Sequence, residues 1–286
     1  MLADIVSVVL RALSFVLLFQ AAGAALFVAA FGRQLMHTRS AIARVGSVSA
    51  LAALILVIGH YALEAARMAG DMSGIADAAL QARVLHSSSG TTVAVRVLGL
   101  LFIAHGLRGE SEGRIATSVV GATLAVASFA LMGHTSANPA RWLLATMLVA
   151  HLLVVAYWFG ALLPLYIVAS REESSIASSV IDGFSRVAVW LVPGILVAGA
   201  ILAVVLIPDW TVFGEPYGAL LIAKLIGFTL LMLLAALNKW RLGPAIARAE
   251  AEGSRAFRRS VATEYVLIVA VLATTAVMTS FFSPEH

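Results

Sequence analysis

Hydrophobic residues run along this chain in long blocks, bounded by charge, Gly or Pro, rather than in the alternation of a half-buried strand. A hydrocarbon layer about 30 Å thick needs roughly 20 apolar residues at a helical rise of about 1.5 Å. Eight stretches reach that size, approximately 5–31, 41–66, 90–107, 115–134, 142–169, 184–207, 217–237 and 261–282. Several ends carry punctuation: Asn138-Pro139 before the fifth, Ile207-Pro208-Asp209 after the sixth, Gly214-Glu215-Pro216 before the seventh and Ser283-Pro284 at the end. Pro164 and Pro193 fall inside spans five and six, where they are expected to kink the helix rather than end it. The pattern predicts an all-α integral membrane protein with eight transmembrane helices, forming a single membrane domain over 1–286.

Composition agrees. The 286 residues are 61% hydrophobic and 12% charged, against about a quarter charged in soluble domains. With no cysteine there is no disulfide framework, thiolate metal site or cysteine nucleophile, so any metal must be held by His, Met or carboxylate. The net charge of +4 gives no reason to expect nucleic acid, because in such a chain the basic residues report topology first. The small-residue run Ala21 to Ala25 resembles a signal cleavage region. However, the first apolar block is too long for one, and Asp4 with no Lys stands before it, so this span is expected to stay in the mature protein.

Basic residues fix the expected orientation. The loops after spans one, three, five and seven hold 13 Lys and Arg, six of them between Lys239 and Arg259, whereas the opposite loops hold three, Arg67, Arg83 and Arg141. The positive-inside rule therefore places the first set of loops in the cytoplasm and both termini outside. One internal echo suggests two parallel four-helix repeats, a first half over 1–134 and a second over 141–282. Gly90, Arg96 and Gly99 share their spacing with Gly218, Lys224 and Gly227.

Ionisable groups inside a membrane are costly and mark sites or partners. Arg96 and Lys224 occupy equivalent places in the echo and are expected to bind an anionic group or cofactor carboxylate, or to pair with Glu64; Arg11 is expected to snorkel. His60 has Glu64 one turn further along span two. His134 follows Met132 at the end of span four. His151 lies ten residues past Arg141, roughly 15 Å deep, with Met147 one turn above it. Imidazole with thioether suits copper as Cu(I) or Cu(II), whereas Ca and Mg want clustered oxygen ligands. The expected metal ligands are therefore His60, His134, His151, Met132, Met147 and Glu64, as one site or two. The chain has no Walker A loop, HExxH motif, nucleophile elbow or dinucleotide fingerprint, and no residue is assigned a catalytic role.

The segment from His151 to Gly160 (HLLVVAYWFG), Phe184-Ser185 opening span six, Tyr217-Gly218 to Lys224 opening span seven and Asn238 at its end resemble the copper resistance protein D (CopD) family of bacterial inner-membrane proteins. The resemblance is clearest from about 140 to 282. It implies copper handling, usually uptake across the inner membrane beside a periplasmic copper chaperone. No copper-binding β-domain or Met-rich leader is seen in the chain, so delivery is expected to need such a partner. The leading expectation is a transporter passing copper from His60, His134 and Met132 to His151 and Met147. The alternative is a membrane redox enzyme holding copper or a b-type haem between His60 and His134 or His151, with quinone, superoxide or periplasmic copper as electron partner.

Overall fold

A computed structural model describes residues 2–131, 141–206 and 216–281. Among the described residues the chain is helical throughout, without strands. In order it forms α1 (Leu2–Phe31), α2 (Arg39–Ala69), a 3₁₀ turn (Met72–Ala76), α3 (Ala78–Leu85), α4 (Ser88–Gly106), α5 (Glu112–Ala127) and a second 3₁₀ turn (Ser128–Leu131). It continues with α6 (Arg141–Arg171), α7 (Ser174–Leu206), α8 (Pro216–Leu237), a π-helical turn (Asn238–Leu242), α9 (Gly243–Ala247) and α10 (Ala251–Phe281). Among the described residues eight helical segments are long and apolar enough to cross a membrane, as the hydrophobic blocks predict.

Two helices run well beyond their apolar blocks. α7 begins at Ser174 and α10 at Ala251, each about ten residues before the predicted span; in α10 the Glu and Arg residues of this polar extension are good helix formers. Pro164 and Pro193 both lie inside continuous helices, α6 and α7. The loop after α2 is more ordered than its polarity suggests: the Asp77 carboxylate accepts from the N–H groups of Ala79 and Leu80 and so caps α3.

α1 is the central post, packed against α2, α4, α5, α6 and α10. Its small-residue run is the reason. Ala21, Ala22, Ala24 and Ala25 are fully buried, and Gly23 meets Gly160 of α6 so closely that a β-carbon on Gly23 would stand 2.1 Å from the Ala156 carbonyl oxygen and 2.4 Å from the Gly160 Cα. Buried Gln20 reinforces the crossing, its Nε2 donating to the Gly160 carbonyl at 3.0 Å. Lipid tails are as apolar as leucine, so helices in a membrane associate through such close small-residue contacts rather than through hydrophobic exclusion from water. The residues that resemble a signal cleavage region are thus the packing face of the bundle's core. A second crossing of this kind joins α4 and α5 at Gly99 and Gly121.

At one end of the bundle Glu172, just past α6, ties down the α1–α2 loop. Its Oε1 accepts from the backbone N–H groups of His37 and Thr38, both at 2.9 Å, and from the Thr38 hydroxyl at 2.7 Å. Partial burial pushes this carboxyl up, but the hydrogen bonds from Thr38 and His37 outweigh it and hold Glu172 below the ordinary carboxylate range.

Candidate functional site

His60 lies half-buried on α2, with Glu64 one turn on. Its ring meets α1, where Nδ1 is 3.4 Å from the hydroxyl of buried Ser7. The charges of Arg11, Arg67 and Arg96 all act on this ring, so it sits in a positive field contributed by α1, α2 and α4. Each arginine is held in place. Arg11 Nη1 donates to Ser280 Oγ of α10 at 3.0 Å. Arg96 Nε donates to Ser128 Oγ at 2.9 Å, and its guanidinium lies over the Phe129 ring at 4.3 Å from the centroid. Arg67 Nη1 lies 3.9 Å from Glu64 Oε2. The structure thus draws His60, Glu64, Arg11 and Arg96 into one polar layer near one end of the bundle. The serines that complete it, Ser7, Ser128 and Ser280, do not stand out in the sequence, because hydroxyls in apolar helices are common.

His151 is half-buried on α6, with its ring against α7, where a β-carbon on Gly199 would lie 3.7 Å from its Cε1. Met147 stands one turn away on the same helix and is also half-buried. Met132 and His134 lie outside the described residues. α2 and α6 both pack on α1, and among the described residues they share no extended contact with each other. Among the described residues no three His, Cys, Asp or Glu side chains converge as a metal cage. Imidazole and thioether nevertheless remain chemically suited to a soft cation. Lys224, on the half-exposed α8, occupies surroundings unlike those of Arg96: α8 packs on α10, α4 on α2 and α5.

A second polar group lies deeper in the bundle, and the span pattern passes over it. Glu264 of α10 is 2% exposed. Its Oε1 accepts a hydrogen bond from Asn238 Nδ2, at the π turn, and the Trp158 side chain of α6 lies beside the carboxyl. Stacked rings fix the surroundings: Phe159 on Tyr265 with centroids 4.8 Å apart, and Trp158 edge-on to Phe228 at 6.4 Å. The Gly243 N–H closes the π turn on the Asn238 carbonyl, and Pro244, which has no N–H to give, opens the next short helix.

Two family models match this chain on either side of its middle. One, described as copper resistance protein D-like, N-terminal domain, matches residues 1–141; the other, copper resistance protein D, matches residues 178–278. The chain belongs to the copper resistance protein D family. A relative called copper resistance protein D, from Pseudomonas syringae pv. tomato, is 28% identical over 246 residues, covering 79% of this chain and 79% of its own length. No solved structure matches the chain. His60, Glu64 and Arg96 lie within the N-terminal match, and Lys224, Asn238 and Glu264 within the C-terminal match; Met147, His151 and Trp158 lie between them. In this member of the copper resistance protein D family, the small-residue crossing of α1 and α6 joins the N-terminal matched part to the intervening segment that carries His151.

Proposed function

We propose that this protein handles copper in a bacterial inner membrane, moving copper ions between periplasm and cytoplasm. The observation that carries the reading is membership of the copper resistance protein D family through both halves of the chain. In this reading both termini are periplasmic, the basic loop around the π turn is cytoplasmic, and the chain is two four-helix halves in parallel orientation. Copper arrives from a periplasmic chaperone and is held first by His60 with Glu64, joined by His134 and Met132, then by His151 with Met147. Of these residues, His60 and His151 support the reading by their setting. Each ring is half-buried in a membrane-spanning helix, and each has a second donor one turn away on the same face.

The test is copper flux into proteoliposomes, with elemental analysis of the same preparations. The His60→Ala and His151→Ala variants are each expected to lose flux by about 10-fold or more, in line with removal of a metal-orienting or metal-ligating group. Flux unchanged in the combined His60→Ala, His134→Ala and His151→Ala protein would overturn the pathway.

A further inference from the structure

The His60 layer leaves unexplained the most deeply buried carboxylate among the described residues of the membrane-spanning helices. Glu264 is the fourteenth residue of α10, within a segment long and apolar enough to span a membrane, and its surroundings offer it donors but no cation. Among the described residues no Lys, Arg or His approaches it as an ion pair. Arg11, Lys224 and His151 on the neighbouring helices are remote along their axes. Arg11 of α1 meets α10 at Ser280, sixteen residues or about 24 Å from Glu264. Lys224 stands fourteen residues before Asn238 on α8, about 21 Å away, and His151 seven residues before Trp158 on α6, about 10 Å away. Nearer titratable groups are Tyr157, which faces α7 and stacks on Phe184, and Tyr265, stacked on Phe159. Lys239 and Arg241 follow Asn238 on the π turn, and Arg259 precedes Ser260 on α10; none pairs with Glu264 among the described residues.

The decisive feature is the other end of the amide. Asn238 Nδ2 donates to one Glu264 oxygen, while the Oδ1 beside it is buried with no hydrogen-bond partner among the described residues. A buried acceptor left unmatched costs roughly 1–3 kcal/mol. A carboxylate has no hydrogen to offer it. A carboxylic acid does: one proton on the second Glu264 oxygen donates to Asn238 Oδ1 and closes a two-bond acid–amide pair. One turn toward the start of α10, on the same face, the buried Ser260 hydroxyl is also unmatched and is the next polar stop toward the helix end. We propose that Glu264 is a proton-exchange site of the membrane interior, with Asn238 as the partner that recognises its protonated form. The step is the simplest possible: an O–H bond forms on the carboxylate with a proton taken from water and breaks when the proton returns. As a coupling device for copper movement the site rests on the proposed function; as a proton site it does not.

The experiment is infrared spectroscopy of the full-length protein in lipid, without copper, scanned from about pH 4 to pH 10 to bracket ordinary and buried carboxyls. A carboxylic-acid carbonyl band that titrates within the scan, is lost in Glu264→Gln and moves to higher frequency in Asn238→Leu is the expected result. If Glu264→Gln fails to fold, the Asn238→Leu shift decides alone. A band that is absent at every pH, or that never titrates, overturns the proposal. A separate arm measures copper flux under an imposed pH gradient. Flux in the native protein that responds to the gradient, and in Glu264→Gln no longer does, supports coupling, and an equal response in both overturns it. No copper flux in the native protein overturns the copper reading and leaves the infrared result standing.

Discussion

Replacing Gly23 by alanine should destabilise the bundle even though it improves an α-helix. In an exposed helix the exchange gains up to about 1 kcal/mol. At Gly23 the new β-carbon would stand 2.1 Å from the Ala156 carbonyl oxygen and 2.4 Å from the Gly160 Cα, both backbone atoms that no rotamer change can move. Comfortable heavy-atom contact is about 3.5 Å, so α1 and α6 must part by more than about 1 Å. Overpacking of this kind costs about 1–3 kcal/mol, and parting the helices also strains the 3.0 Å bond from Gln20 to the Gly160 carbonyl, worth about 1 kcal/mol more. The cost exceeds the gain, and a net loss of about 1–3 kcal/mol is expected. Gly194 of α7 is the control, because a β-carbon there meets nothing within 4 Å and alanine should be neutral or stabilising. Unfolding in mixed micelles, followed by tryptophan fluorescence, measures both. Gly160→Ala should behave as Gly23→Ala does, and the double variant should fall short of the sum because both act on one contact. Gly23→Ala as stable as Gly194→Ala would refute the packing argument.

Glu172 gives a pH-dependent stability of definite sign. Its carboxyl is held below the ordinary value, so its contribution is present above about pH 4.5 and is lost as pH falls through the lowered folded value; Glu172→Gln should flatten that acid-side fall in a stability-against-pH series. Ser128→Ala removes the acceptor of Arg96 and should cost roughly 1–3 kcal/mol in the same unfolding assay, because the half-buried guanidinium loses a hydrogen bond. Arg96→Lys should fail to restore native stability, since an ammonium loses both the fork geometry and the stacking over Phe129.

The spans were legible because hydropathy over about 20 residues is the strongest signal a membrane helix leaves. The polar interior was legible only in part. Arg96, His60 and His151 stand out as isolated polar letters in apolar blocks. Glu264 is isolated in the same way, but the apolar block begins only at residue 261, so it reads as the flank of a span rather than its interior. The helix in fact starts ten residues earlier, on Glu252 and the arginines that follow, which are good helix formers without being apolar. Element length therefore settles what hydropathy could not. The partner Asn238 stands out only through family resemblance. Nothing in the local sequence says that a π turn follows it, although Pro244 six residues on marks where the next short helix opens.

Depth along the helices joins the two proposals. Arg11 contacts α10 at Ser280, at the level of the His60 layer, and Glu264 lies about 24 Å further along the same helix. His151 stands about 10 Å from the Trp158 that contacts Glu264, so it falls between the two layers. For a cation this sequence is uneven. In the His60 layer, Glu64 lies 3.9 Å from Arg67, and the charges of Arg11, Arg67 and Arg96 act on the histidine ring. Beyond His151 the next carboxylate on this line is Glu264, which forms no ion pair among the described residues. Were copper to move as Cu(I), one proton leaving Glu264 would provide one compensating negative charge ahead of it. A monovalent ion could then cross the middle of the bundle without net charge accumulating there, which is the condition a low-dielectric interior imposes on any ion that passes through it.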